Sequence, residues 1–215
     1  VWIGGDPITA GLATSLARPG ENLTGVTVNA GDEIWGKRLQ ILKEAVPTVS
    51  KIGFLTTQMA SPSAAAAQLL QEASQRLQIL LISMRVEEST PSEVERVFAE
   101  IDQERLDAIL VSSIGDLIPR RQLIVELVEK HRLPAMYPWR DYVEAGGLMA
   151  YASDDRELWR RMGDDVHEIL NGAKPGEIPI YQPTKFELLI NVKAAKALGL
   201  TVPPSILARA DEVIE

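Results

Sequence analysis

The sequence predicts an α/β protein built on a doubly wound parallel sheet. Between residues 51 and 151 five short apolar runs alternate with helical patterns. One of those runs, Ala108-Ile109-Leu110-Val111, is apolar without alternation, as in a strand covered on both faces. The links between runs are short, and right-handed crossovers then place the strands parallel in one sheet. The stretches before 51 and after 154 supply two short strands and several helices but no complete sheet. They read as parts of a second α/β unit.

Taken in order, 1–5 is a short apolar strand, turned by Gly5-Asp6-Pro7, with Pro7 opening a helix to about residue 17. Arg18-Pro19-Gly20-Glu21-Asn22 breaks the chain before a second strand at 23–28. Asp32 caps a helix whose apolar stripe is Trp35, Leu39, Leu42 and Val46, and Pro47 ends it. Strand 51–57 runs into Ser61-Pro62-Ser63, where Ser61 is a good N-cap and Pro62 fits the first helical position. The Ala-rich helix that follows reaches residue 76. Strands at 78–84, 106–112, 134–137 and 147–151 alternate with helices that begin near Thr90-Pro91, Leu117 and Trp139. A helix over 154–171 carries Leu158, Trp159, Met162, Val166, Ile169 and Leu170 as the stripe expected to be buried. Residues 178–190 are extended, 191–198 helical with Gly199 as C-cap, and Pro203-Pro204-Ser205 opens a last short helix.

Composition narrows the function. The chain of 215 residues is 46% hydrophobic, enough for a real core, and its net charge of −8 opposes binding to nucleic acid or anionic membranes. It has no Cys, so thiolate catalysis, disulfides and Cys-bound zinc are out. No apolar run approaches the ~18 residues of a membrane span. No export signal precedes Val1, and a chain that opens directly as a strand reads as a fragment or a processed form. Nucleophile-elbow, phosphate-loop, zinc-helix and dinucleotide motifs are all missing, which argues against an enzyme and implies no cofactor.

Three stretches carry a family resemblance: Gly5-Asp6-Pro7 through Ser15-Leu16-Ala17-Arg18-Pro19-Gly20; Leu133-Pro134-Ala135-Met136-Tyr137 with Val143-Glu144-Ala145-Gly146-Gly147-Leu148-Met149 and Tyr151; and Gln182-Pro183-Thr184-Lys185-Phe186-Glu187-Leu188 with Pro203-Pro204-Ser205 through Ile214. Together they resemble the substrate-binding proteins of bacterial ABC transporters, in the branch related to tryptophan and aromatic-amino-acid binders. The resemblance implies a type I periplasmic-binding-protein fold, two α/β lobes closing on a small solute, with a membrane permease as partner and a periplasmic location. It implies that 51–153 is a complete, five-stranded second lobe. Residues 1–50 and the helix at 154–179 then belong to a first lobe truncated at its N-terminus, and 180–215 holds a hinge crossing and the C-terminal segment. Exposure of Trp35, Leu39 and Leu42 on such a remnant would favour self-association. A ligand-sensing module of a regulatory protein with the same fold is the alternative.

The candidate ligand site is the set of strand C-terminal ends. These offer Asp6, Thr57, Ser61, Ser63, Ser113, Asp116, Tyr137, Trp139, Tyr151 and Ser153. The N–H groups at 61–63, at a helix's positive end, suit a carboxylate. Asp6 or Asp116 suits an ammonium, and Tyr137, Trp139 or Tyr151 an apolar body. Each has a plainer reading: Asp6 and Asp116 as helix caps, the aromatic residues as packing, and Arg140 paired with Asp141 or Glu144.

Overall fold

The computed structural model describes residues 1–28, 31–57, 64–113 and 115–215. The chain folds as two compact units: 1–31 with 153–186, and 32–152 with 187–215.

In the second unit the elements are α1 (Ile34–Ala45), β3 (Lys51–Thr57), α2 (Ala64–Arg76), β4 (Leu80–Val86), α3 (Pro91–Ala99), α4 (Ile101–Glu104), β5 (Ala108–Val111), α5 (Arg121–Lys130), β6 (Ala135–Tyr137), α6 (Arg140–Glu144), β7 (Met149–Ser153), β8 (Phe186–Asn191), α8 (Val192–Ala197), α9 (Pro204–Leu207) and β9 (Glu212–Ile214). Among the described residues they form a seven-stranded sheet in the order β4-β3-β5-β6-β7-β8-β9. The β3–β4, β3–β5, β5–β6, β6–β7 and β8–β9 pairs are parallel. The predicted five-stranded sheet is thus present and is extended by β8 and β9. The apolar run of β5 is fully buried, as its lack of alternation requires. Asp107 anchors the start of β3, accepting from the N–H groups of Ser50 and Lys51 at 2.9 Å.

Several sequence expectations shift for local reasons. Strand β4 starts at Leu80, not residue 78, because Gln78 sits at φ 55°, a left-handed exit from α2. Helix α5 starts at Arg121 because the preceding turn, Gly115–Arg120, is 3₁₀ with Pro119 inside it. The N-cap of α1 is Glu33 rather than Asp32, with no side-chain capping bond. Thr90, by contrast, caps α3 by accepting from the Glu93 N–H. Helix α1 groups with the second unit, so Trp35, Leu39 and Leu42 are buried rather than exposed. Those three residues therefore offer no exposed face for self-association.

The first unit pairs β1 (Trp2–Gly4) with β2 (Gly25–Thr27) in parallel, and Tyr181 extends the pairing through a bridge to Val26. Helix α7 (Asp155–Leu170) packs on β2, capped by Asp154, which accepts from the N–H groups of Arg156 and Glu157. No helix follows Pro7. Gly11 at φ 69° stops the turn after one cycle, and the Thr14 and Ser15 hydroxyls hydrogen-bond Arg18 O, competing with helical pairing. The stripe expected to be buried on α7 is largely exposed: Trp159 is 62% and Leu170 81% exposed, while Leu158 and Asp165 are buried.

Asp165 is the anomaly of this helix. Its Oδ2 has no hydrogen-bond partner among the described residues, and burial, with Glu168 and Asp164 nearby, pushes its carboxyl up to about 6. An unfolded Asp titrates near 4. Between pH 4 and 6 the folded state therefore binds the extra proton, and stability falls as pH rises through that window. Asp165→Asn is expected to stabilise by about 1 kcal/mol at pH 7.5 after allowance for solvent screening, and by nothing at pH 4. Thermal melts at the two pH values check this; an equal shift at both refutes it.

Candidate functional site

The C-terminal ends of β3, β5, β6 and β7 form neighbouring positions along one rim of the second unit's sheet. Strand β3 ends in Thr57, whose Oγ1 is buried and has no hydrogen-bond partner among the described residues. Beyond β5 come Ser112, with a buried hydroxyl equally lacking a partner, and half-buried Ser113. Beyond β6 come Pro138 and Trp139, whose buried indole N–H has no acceptor among the described residues. A buried polar group without a partner costs roughly 1–3 kcal/mol. Three of them sit at or just past the ends of adjacent strands, with Thr57 and Ser112 on opposite faces of the sheet by register.

Arg38 on α1 reaches the same rim. It is only 2% exposed, yet no carboxylate pairs with it among the described residues. Its Nε donates to Tyr151 O at 2.8 Å, its Nη1 to Ser113 Oγ, and its Nη2 to Pro138 O at 3.1 Å. One guanidinium thus ties the residues just past β5 and β6 to the middle of β7 through neutral acceptors. Burial pushes its pKa down to about 9, so it remains a cation at neutral pH. The guanidinium also lies 5.2 Å from the centroid of the Trp35 ring. Sequence reasoning missed Arg38. The signal was there: it falls three residues after Trp35, on the apolar stripe of α1, where a charge needs a reason.

The other expected site residues separate. Ser61 and Ser63 lie outside the described residues. Asp6 belongs to the first unit, and both its oxygens are engaged locally, by the Ile8 N–H at 2.9 Å and the Thr9 hydroxyl at 2.6 Å. The Thr9 bond is the main reason its carboxyl lies below the usual range. Asp116 is exposed within its 3₁₀ turn, and its carbonyl accepts from Ser89 Oγ. Ser153 is buried at the end of β7. Tyr151 is half-buried, with its hydroxyl pKa raised mainly by burial.

Tyr137 is a correction. It is 1% exposed and stacks on Tyr142 with ring centroids 5.0 Å apart. The cavity it lines, with Val128, Leu133 and Ala197, measures about 40 Å³, room for a few waters but not for a solute. By register it shares a sheet face with Leu55 and Val111, and there Val128 of α5 and Ala197 of α8 cover its ring. Arg140 is also corrected: it pairs with Glu212 at 2.8 Å and Glu187 at 3.0 Å, not with acids of its own helix.

A groove of about 530 Å³ also opens in this unit, between α2 and the β3–β4 face, lined by Phe54, Leu70, Ser74 and Arg85 among others. It runs along the sheet's face, and none of its lining residues has a buried polar atom lacking a partner. The rim therefore carries the stronger mark of a polar ligand.

With that geometry in place, comparison with known proteins is informative. The family model described as ABC transporter substrate binding protein matches residues 1–214. A curated relative, a "Tyrosine-binding protein" of Clostridioides difficile, is 24% identical over 195 residues, covering 91% of this chain and 55% of its own length. The chain thus spans about half of that relative. Among solved structures, an ABC domain in complex with L-Trp from Streptococcus pneumonia is 26% identical at a TM-score of 0.84, covering 98% of this chain and 69% of its own. A conserved domain protein from Vibrio cholerae is 25% identical at the same TM-score, covering 97% and 68%.

Proposed function

Because the chain belongs to the ABC transporter substrate binding protein family, we propose that it is the solute receptor of a bacterial importer. It takes a small amino-acid-like carboxylate at the strand-end rim of its second unit and carries it, chemically unchanged, to a membrane permease from the periplasmic side. The observation that supports this reading is the set of buried polar atoms at Thr57, Ser112 and Trp139 without partners among the described residues, near the Arg38 cation. A ligand that offers both donors and acceptors would satisfy those that it reaches. The ligand class follows the two relatives whose names mention tyrosine and L-Trp. Trp139, buried just past β6, brings its indole N–H to the same rim.

Isothermal calorimetry of the protein against a panel of the standard amino acids tests this. Saturable binding is expected for L-tryptophan or L-tyrosine, with glycine and the charged amino acids at least tenfold weaker. Silence across the panel would remove the ligand class.

A further inference from the structure

The Arg38–Ser113 hydrogen bond has a directional consequence. A hydroxyl oxygen that accepts from a guanidinium turns its own O–H away from that cation. Ser113 is half-buried at the end of β5, and among the described residues nothing accepts from that O–H. The remaining Arg38 partners are the neutral carbonyls of Pro138 and Tyr151, so the cation's field at Ser113 is not cancelled by a bound carboxylate. Hydrogen bonds to an ionised acceptor are about twice as strong as neutral ones, and a low-dielectric setting adds to the difference.

We infer that Arg38 and Ser113 form a carboxylate selector: Ser113 donates its hydroxyl to an anionic oxygen of the solute, and Arg38 is the positioning residue that fixes the direction of that donor and supplies the charge behind it. This rests on the solute-receptor reading above. It adds the group on the solute that is recognised and the residue that recognises it.

Calorimetry with L-tryptophan and L-tyrosine against their carboxamides tests it. The wild-type protein is expected to prefer the acid to the amide by tenfold or more. Ser113→Ala is expected to weaken acid binding about tenfold and amide binding less than twofold, so the preference collapses. Ser113→Thr, which keeps the hydroxyl, retains it. Arg38→Gln, if its far-ultraviolet circular dichroism is native, loses the preference as Ser113→Ala does. Equal weakening of acid and amide in Ser113→Ala, or a preference that survives its loss, would overturn the selector while leaving the solute-receptor reading intact. A wild-type protein that binds neither acid would overturn both.

Discussion

Arg38→Ala is expected to destabilise the protein by about 4 kcal/mol, a shift in melting temperature on the order of 10 °C. Two effects oppose each other. Removing the cation relieves the cost of burying a charge, which is several kcal/mol. Against that, Tyr151 O, Pro138 O and Ser113 Oγ lose their donor together, at roughly 1–3 kcal/mol each. The long stem beside Trp35 also leaves a cavity. The second and third effects outweigh the first because three strands depend on one side chain. Arg38→Met separates them, since Met refills the stem volume without the charge, and about half the loss is expected there. Urea midpoints of the two variants decide it. A Met variant as stable as wild type would mean the acceptors find other donors and the guanidinium is not what holds the rim.

Much of the fold was legible from local chemistry. The five runs between 51 and 151 became β3 to β7, and the caps at Thr90, Asp154 and Asn191 each accept from a backbone N–H of the helix they open. What local pattern could not supply was the partner of each apolar face. The family resemblance puts helix α1 in the first unit, with the rest of residues 1–50. It packs instead on α2, where Gly36 faces Ala73 closely enough that an added methyl would sit 3.4 Å from it. The stripe on α7 was read correctly as periodic and wrongly as covered, since periodicity names a face and not what meets it. Strand β9 carries only two apolar residues and pairs with β8 across some twenty residues of intervening chain, so no window of sequence contains its reason. The site divided in the same way. Ser113 and Trp139 could be placed at strand ends by counting, and Tyr137 could be placed there too. Only the cover that α5, α8 and the Tyr142 stack put over its ring takes it out of the site.

Gly147→Ala is expected to cost about 2–3 kcal/mol, for a reason unconnected with glycine's backbone freedom. Unlike Gly146, at φ 108°, Gly147 has an ordinary backbone conformation. The obstacle is space. A Cβ there would lie 2.5 Å from the Tyr137 ring and 2.7 Å from the carbonyl oxygen of Tyr142. The carbonyl belongs to α6 and accepts from the Gly147 N–H at 2.8 Å, so it cannot retreat without breaking the turn into β7. The ring is held by its stack on Tyr142. Relief must come from moving β6, and β6 leads directly to Pro138 and Trp139 on the rim. Loss of stability in urea should therefore be accompanied by weaker binding of L-tryptophan or L-tyrosine, although Gly147 touches neither. A variant that unfolds earlier yet binds at wild-type affinity would show that the strain is absorbed in the 40 Å³ cavity beside Tyr137 and never reaches the strand ends.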